Sequence, residues 1–267
     1  MEIDPDLIED EKEEIKVYEY LGSHPHIVKL VAHYSSSRQH ITVMEYCPAG
    51  DLFDRLKANG KMQIDEAKMV YRQLLETLEW LHKRGLAHLD VSLENILLTV
   101  DSGTGAIKIK LTDFGMAQFQ GSLKWSEWVV TGRPGKRRYM PPEIRARIDS
   151  PPPPHHVKRS RSRPTSSISI IIPWTHAPAA DIWSSGVCFF QMLTGVPPWN
   201  EANVCDTRYN YVMRGSMGRM LREWGMPFEE DALDFFSKIF TAPEKRSTIT
   251  ELLAHKFLAP THIPLSS

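Results

Sequence analysis

Cysteine is scarce in this 267-residue chain, where only Cys47, Cys188 and Cys205 occur. Three thiols cannot build a disulfide framework, so a reducing compartment is the expected setting. Long apolar stretches are missing as well: no uninterrupted run approaches the ~18 residues of a spanning helix, and no membrane association is expected. Net charge is nearly absent, with 32 Lys+Arg against 33 Asp+Glu giving −1. That balance argues against a protein whose whole surface binds nucleic acid or an anionic membrane. The acidic opening, Met1 to Asp6, fits neither a signal peptide nor a transit peptide. No Cys/His set has the ligand spacing of a zinc site. The expected location is the cytoplasm, with the nucleus as the alternative. Against these absences stands a hydrophobic share of 42% with 9% aromatics, enough for a globular chain with a real core.

Periodicity divides the chain. Between Asp10 and Leu21, the residues Ile15, Tyr18 and Leu21 fall three apart, which predicts an amphipathic helix stopped by Gly22 and Pro25. Residues 27–31 and 41–46 are β-branched runs that suit two strands, and Cys47-Pro48-Ala49-Gly50 breaks the second. From Asp65 a long helix is predicted, with Ala67, Val70, Leu74, Leu78 and Leu81 on one face and Gly85 closing it. Residues 96–98 and 107–111 read as a hairpin around Ser102-Gly103-Thr104-Gly105. Beyond Asp181 helices are expected at 182–193, 204–214, 229–240 and 248–257. Strands crowd the first part and helices the second, an α+β order.

One stretch breaks the pattern. Residues 150–175 hold four consecutive prolines, the string Lys158-Arg159-Ser160-Arg161-Ser162-Arg163 and the apolar run Ile168-Ser169-Ile170-Ile171-Ile172. Its composition is that of a low-complexity insertion or a translated non-coding segment; its Ser-Arg alternation could also bind RNA or acidic partners.

Two motifs carry the chemistry. His88-Leu89-Asp90-Val91-Ser92-Leu93-Glu94-Asn95 follows the long helix, and Asp113-Phe114-Gly115 follows a strand. Asp90, Asn95 and Asp113 each read most simply, taken singly, as a turn-capping residue. In this order and context, the pair resembles the phosphoryl-transfer template of the eukaryotic-type protein kinases. The resemblance runs from about Glu14 to Phe257. Met44-Glu45-Tyr46-Cys47 resembles the strand and hinge beside the adenine, with Met44 as gatekeeper. Asp51 resembles the ribose-contacting acid, and Leu97 is assigned with these to the nucleotide pocket. Met140-Pro141-Pro142-Glu143 resembles the motif that closes the activation segment, Asp181-Ile182-Trp183-Ser184-Ser185-Gly186 the opening of a large-lobe helix, and Arg246 the partner of Glu143.

The resemblance implies a bilobal, protein-kinase-like α+β fold that transfers the γ-phosphate of ATP to protein hydroxyls with Mg²⁺. Asp113 and Asn95 would hold the metal, and Asp90 would accept the hydroxyl proton. His88 would be structural, packing under Asp113-Phe114-Gly115, and Met44, Trp183, Trp199 and Trp224 read most simply as core. The expected organisation is a partial small lobe at 1–46, a hinge at 47–50, a large lobe at 51–258 with the insertion at 150–175, and a tail at 259–267.

The chain also departs from that family. The thirteen residues before Glu14 hold no glycine, and Lys12 has no strand around it, so neither the Gly-rich phosphate loop nor the strand lysine that pairs with Glu14 is present. The expectation is a small lobe truncated before the helix that carries Glu14. Leu89 stands where many kinases carry Arg, the usual partner of a phosphorylated activation segment. Ser122, Ser126 and Thr131 nevertheless lie among Lys124, Arg133, Lys136, Arg137 and Arg138, which read as a solvated loop or as a docking site for acidic substrates. Ser92 stands where Ser/Thr kinases present a lysine to phosphate, and Lys136 where they have a threonine. The two residues are expected to have exchanged roles, Lys136 meeting the γ-phosphate and Ser92 supplying the hydroxyl. Tyrosine kinases also lack that lysine but carry Arg where this chain has Glu94, which favours Ser/Thr. The alternative to an enzyme is a silent kinase-like scaffold, or a fragment from an incomplete gene model. Protein substrates and ATP are the expected partners; nucleic acid would enter only through 158–163.

Overall fold

The structure, a computed structural model, describes residues 5–36, 39–101, 103–120, 136–149 and 176–259. The expected insertion at 150–175 and the residues Ser122, Lys124, Ser126, Thr131 and Arg133 lie outside the described residues.

Helix α1 (Pro5–Leu21) starts five residues earlier than the spacing predicts and buries Ile15, Tyr18 and Leu21. Strands β1 (Leu30–Ser35) and β2 (His40–Met44) form an antiparallel hairpin in which Tyr34 faces Ile41 and Ala32 faces Val43. The strand expected at 27–31 is corrected. Ile27 and Val28 are buried, but Ile27 makes only an isolated bridge to Leu111, to which Val28 N–H also donates (3.0 Å). Their β-branched character reflects burial, and the ladder begins only at Leu30.

Helix α2 (Leu52–Asn59) escapes the periodicity argument because it buries only Leu52 and Leu56, one turn apart. Helix α3 (Ile64–Lys83) follows, and all five of its predicted stripe residues are fully buried. At about 1.5–3 kcal/mol for each large side chain removed from water, that stripe is the main reason this segment is helical. Gly85 takes φ +69 at the exit, a left-handed turn open to glycine.

Strand β3 (Leu86–Ala87), strand β4 (Ile96–Val100), strand β5 (Ile107–Leu111) and strand β6 (Gln118–Phe119) form two antiparallel pairs, β4 with β5 and β3 with β6. The β4–β5 turn is locked by Asp101, whose carboxylate accepts from Gly103 N–H, Thr104 N–H and Lys108.

Helix α4 (Pro142–Asp149) precedes α5 (Ala177–Thr194), so Asp181 lies inside α5 rather than opening it. Four shorter helices follow among the described residues: α6 (Thr207–Met213), α7 (Met217–Glu223), α8 (Glu230–Ile239) and α9 (Ile249–Ala254). Two expectations are trimmed by caps. The Asp206 carboxylate accepts from Arg208 and Tyr209 N–H, so α6 begins at Thr207. Thr248 and Glu251 close a capping box, and extended His255 separates α9 from a 3₁₀ turn at Lys256–Leu258.

The core lies where α3 crosses α5. Tyr71 stacks on Phe189 (ring centroids 4.1 Å apart), and its hydroxyl meets Ser185 Oγ at 3.2 Å. Trp183 and Trp199 are fully buried and both pack against Phe240, while Trp224 is half-buried against the same core. This helical mass carries the loops that hold the chemistry.

Candidate active site

The loop after β3 is shaped from below by a buried acid. Asp181, fully buried in α5, accepts from His88 N–H (2.9 Å), Leu89 N–H (2.7 Å) and the His82 ring (2.8 Å). These bonds hold Leu89 at φ +62, a strained conformation for a side chain of that size. Leu89 is itself buried among Ala87, Met140, Ile144, Ala177 and Ala180. An arginine there would lose its hydration inside an apolar cluster, which is a physical reason for leucine at this position.

His88 is buried, its ring 4.8 Å from that of Phe114. Its Nδ1 accepts from Asp90 N–H (3.2 Å) and its Nε2 faces Thr112 O (3.0 Å). One nitrogen accepts and the other faces a carbonyl, an arrangement that suits the tautomer with its proton on Nε2.

Asp90 sits at the centre. Its Oδ2 accepts from Asn95 Nδ2 (2.9 Å) and pairs with Lys136 Nζ. The same Asn95 nitrogen also donates to Asp90 O (2.8 Å). Both partners are acceptors, so the nitrogen must lie on this side and the Asn95 carbonyl oxygen is left for another task. Burial pushes the Asp90 carboxyl above its usual range; the Lys136 ammonium opposes the shift and the nearby Asp113 charge adds to it.

Asp113 takes φ +65 and is exposed, whereas Phe114 beside it is buried. Helix α1 reaches both: Glu14 Oε1 accepts from Phe114 N–H (3.0 Å) and the Tyr18 hydroxyl from Asp113 N–H (3.2 Å).

The structure thus brings together Glu14, Asp90, Asn95, Asp113 and Lys136. Ser92 is different. It is fully buried in extended backbone ahead of the 3₁₀ turn Leu93–Asn95, and its hydroxyl has no hydrogen-bond partner among the described residues. Lys136 therefore joins this network through Asp90, whereas the Ser92 hydroxyl, expected to join it, does not among the described residues.

The expected nucleotide pocket lies at the end of β2. Met44 is half-buried against the core. Glu45 turns its carboxylate to Lys110 Nζ (2.8 Å) and Lys29 N–H (3.1 Å). Burial pushes this carboxyl up, but those two donors outweigh it and hold it below the usual range. Cys47 is buried, which raises its thiol, and Cys47 O accepts from Gly50 N–H (3.2 Å). Asp51, expected at a ribose, spends Oδ1 on Asp54 N–H (2.8 Å) as the N-cap of α2, and it bridges through its backbone to half-buried Leu97.

Glu143 accepts from Arg246 Nη1 (2.9 Å), and Arg246 also donates to Ile239 O, Ala179 O and Thr241 O. A family model described as protein kinase domain matches residues 3–151 and 170–258. This chain belongs to the protein kinase family. The model leaves 152–169 unmatched, within the compositionally odd 150–175.

Curated kinases agree. Serine/threonine-protein kinase RAD53 of Saccharomyces cerevisiae is 29% identical over 248 residues, covering 92% of this chain and 27% of that protein. Calcium-dependent protein kinase 29 of Arabidopsis thaliana is 29% identical over 258 residues, covering 96% and 42%. The chain thus spans less than half the length of these relatives. The crystal structure of the Rad53 kinase domain and SCD2 superposes with a TM-score of 0.69 at 25% identity, covering 96% of this chain and 80% of that one. The same kinase domain and SCD2 in complex with AMPPNP gives 0.66. The fold is that of a protein kinase, mixed helix and strand as the sequence implies.

Sequence reasoning passed over two groups in this kinase site. Tyr18 counted only as part of an apolar stripe, although its place one turn after Glu14 puts both on one helix face. Asp181 was noted for its motif, but nothing local reveals that it anchors a loop 92 residues away.

Proposed function

We propose that this chain transfers the γ-phosphate of ATP to Ser and Thr hydroxyls of proteins, using Mg²⁺. The observation that carries this reading is the Asp90 carboxylate, held through Oδ2 by Asn95 and Lys136 beside Asp113. That arrangement keeps Oδ1 for an incoming hydroxyl. Burial makes Asp90 a better proton acceptor than a surface aspartate, because its charged form is less favoured.

The donor set suits a hard cation. Asp113 offers an exposed carboxylate and Asn95 a neutral carbonyl oxygen, while no cluster of three His, Cys, Asp or Glu forms a metal cage among the described residues. Mg²⁺ commonly takes one or two carboxylates and completes its shell with phosphate and water. Bound there, it would neutralise the charge on the phosphates. ATP as donor is supported by the AMPPNP complex of the Rad53 kinase domain, and Ser/Thr acceptors by the name of RAD53 and by Glu94 in place of arginine.

Lys136 fits the phosphate side of the reaction. Its ammonium lies at Asp90, on a side chain partly open to solvent, and it can swing to an incoming phosphate as a compact charge. The test is transfer of labelled γ-phosphate to Ser, Thr and Tyr acceptor peptides. Asp90→Asn is expected to lose about 10²–10⁴-fold in kcat, the usual weight of a positioned base. Lys136→Ala is expected to lose more than about tenfold, equivalent to ~1.4 kcal/mol. An unchanged Asp90→Asn rate would remove the reading, and a smaller Lys136→Ala loss would remove Lys136 from the phosphate.

A further inference from the structure

The two residues assigned to the metal meet at a third, Thr112. Thr112 N–H donates to Asn95 O (3.0 Å), and Thr112 lies directly before Asp113 in the chain. Thr112 Oγ1 is 3.2 Å from the Tyr18 hydroxyl, which in turn accepts from Asp113 N–H. Tyr18 is buried, and its ring stands edge-on to Phe114 with centroids 5.1 Å apart.

The backbone here needs such a hold. Asp113 carries a side chain at positive φ, a conformation that persists only where its surroundings over-determine it. Glu14 takes the N–H of Phe114 and Tyr18 that of Asp113, so one face of α1 grips two successive amides. Aromatic packing on Phe114 needs only a ring. The hydroxyl adds an acceptor for a specific amide and a link to Thr112.

We infer that the Tyr18 hydroxyl is a positioning group that sets the Asp113 backbone, and with Thr112 its register to Asn95, for divalent-cation binding. The phenol O–H can accept from Asp113 N–H while donating to Thr112 Oγ1. The inference rests on Asp113 and Asn95 holding the metal, and it locates the control of that pair in α1.

Tyr18→Phe keeps the ring and removes the hydroxyl. Two readouts on the full chain decide the matter. In hydrogen exchange without nucleotide, the peptide covering residues 112–119 should exchange about fivefold faster, the weight of one hydrogen bond, while peptides of α5 stay unchanged. In thermal shift with saturating AMPPNP, the Mg²⁺ concentration for half the effect should rise by about the same factor, with the same plateau. Thr112→Val should move both readouts in the same direction. Combined with Tyr18→Phe it should add less than the sum, since the two act through one contact.

Unchanged exchange at 112–119 in Tyr18→Phe overturns the inference. Faster exchange with an unmoved Mg²⁺ midpoint also overturns it, by reducing the hydroxyl to a packing role. If wild-type chain shows no Mg²⁺-dependent shift, the metal reading has failed instead, and the exchange arm still decides whether the hydroxyl sets the Asp113 backbone. Should Tyr18→Phe fail to fold, Thr112→Val alone decides by the same two criteria.

Discussion

The β1–β2 hairpin and helix α5 are both rich in apolar residues, yet the fold treats them in opposite ways. In α5 every residue except Pro178 and Leu193 is buried. Several of its polar groups are engaged: Asp181 with the loop at His88 and Leu89, Ser184 with Tyr139 O, and Ser185 with Tyr71, whereas Trp183 Nε1 has no hydrogen-bond partner among the described residues. In the hairpin, Val31, Tyr34, Ile41 and Val43 stay exposed, Tyr34 at 63%. Apolar composition alone therefore does not say which surface becomes scaffold. A helix surrounded on all sides can hold a loop 92 residues away in a strained conformation, whereas a hairpin with an uncovered face constrains little beyond its own register. The candidate site draws its hold from helices, with its central loop anchored by α5 and the loop at Asp113 gripped by α1.

The contrast can be broken most forcefully at Arg246, which ties Glu143 to α5 and to the end of α8 through one ion pair and three carbonyls. Arg246→Ala leaves those acceptors without their donor and should cost about 3–5 kcal/mol in chemical denaturation. A loss below ~1 kcal/mol would mean that the helical region is less tightly determined than its burial implies.

A smaller effect, with a definite sign, comes from the turn that leads into the hairpin, where it packs on α3. His24 packs on Trp80 at 4.4 Å, and its Nδ1 accepts from His26 N–H. Burial, with the charges of His26 and Arg84, pushes its pKa down to about 4 from 6.5. The unfolded chain then takes up this proton at a higher pH than the folded one. Stability contributed by neutral His24 is full above 6.5 and is lost as pH falls toward 4. His24→Gln should flatten the pH dependence of Tm in that window; an unaltered slope would assign it to other groups.

The least effect is expected on the open face of the hairpin. Tyr34→Thr with Ile41→Thr should change stability by no more than about 0.5 kcal/mol. A loss several times larger would reveal that this face is covered in solution.

Much of the molecule was readable beforehand where local chemistry dictates structure. The α3 stripe is fully apolar at helical spacing, and the β4–β5 turn carries an aspartate that can bond its own loop. The motifs at His88–Asn95 and Asp113–Gly115 were legible because phosphoryl transfer needs those residue types in that order. Other features depended on distant partners. Ile27 and Val28 resemble a strand but meet Leu111 at a single bridge. Leu89 and Asp113 take positive φ without being glycine, under bonds from α5 and α1. Lys136 was expected at the phosphate, and its ion pair with Asp90, like the isolation of the Ser92 hydroxyl, follows from packing that no local pattern encodes.

The central claim is that Asp113 and Asn95 hold Mg²⁺ together with a bound nucleotide. The most direct measurement is the Tm of the full chain with AMPPNP, with and without Mg²⁺, compared between wild type and Asp113→Asn. The expected result is a Mg²⁺-dependent rise, about 2.7 kcal/mol of added stability at a hundred times Kd, that Asp113→Asn abolishes. A wild-type chain whose Tm ignores Mg·AMPPNP, or an Asp113→Asn chain that responds just as strongly, would contradict it.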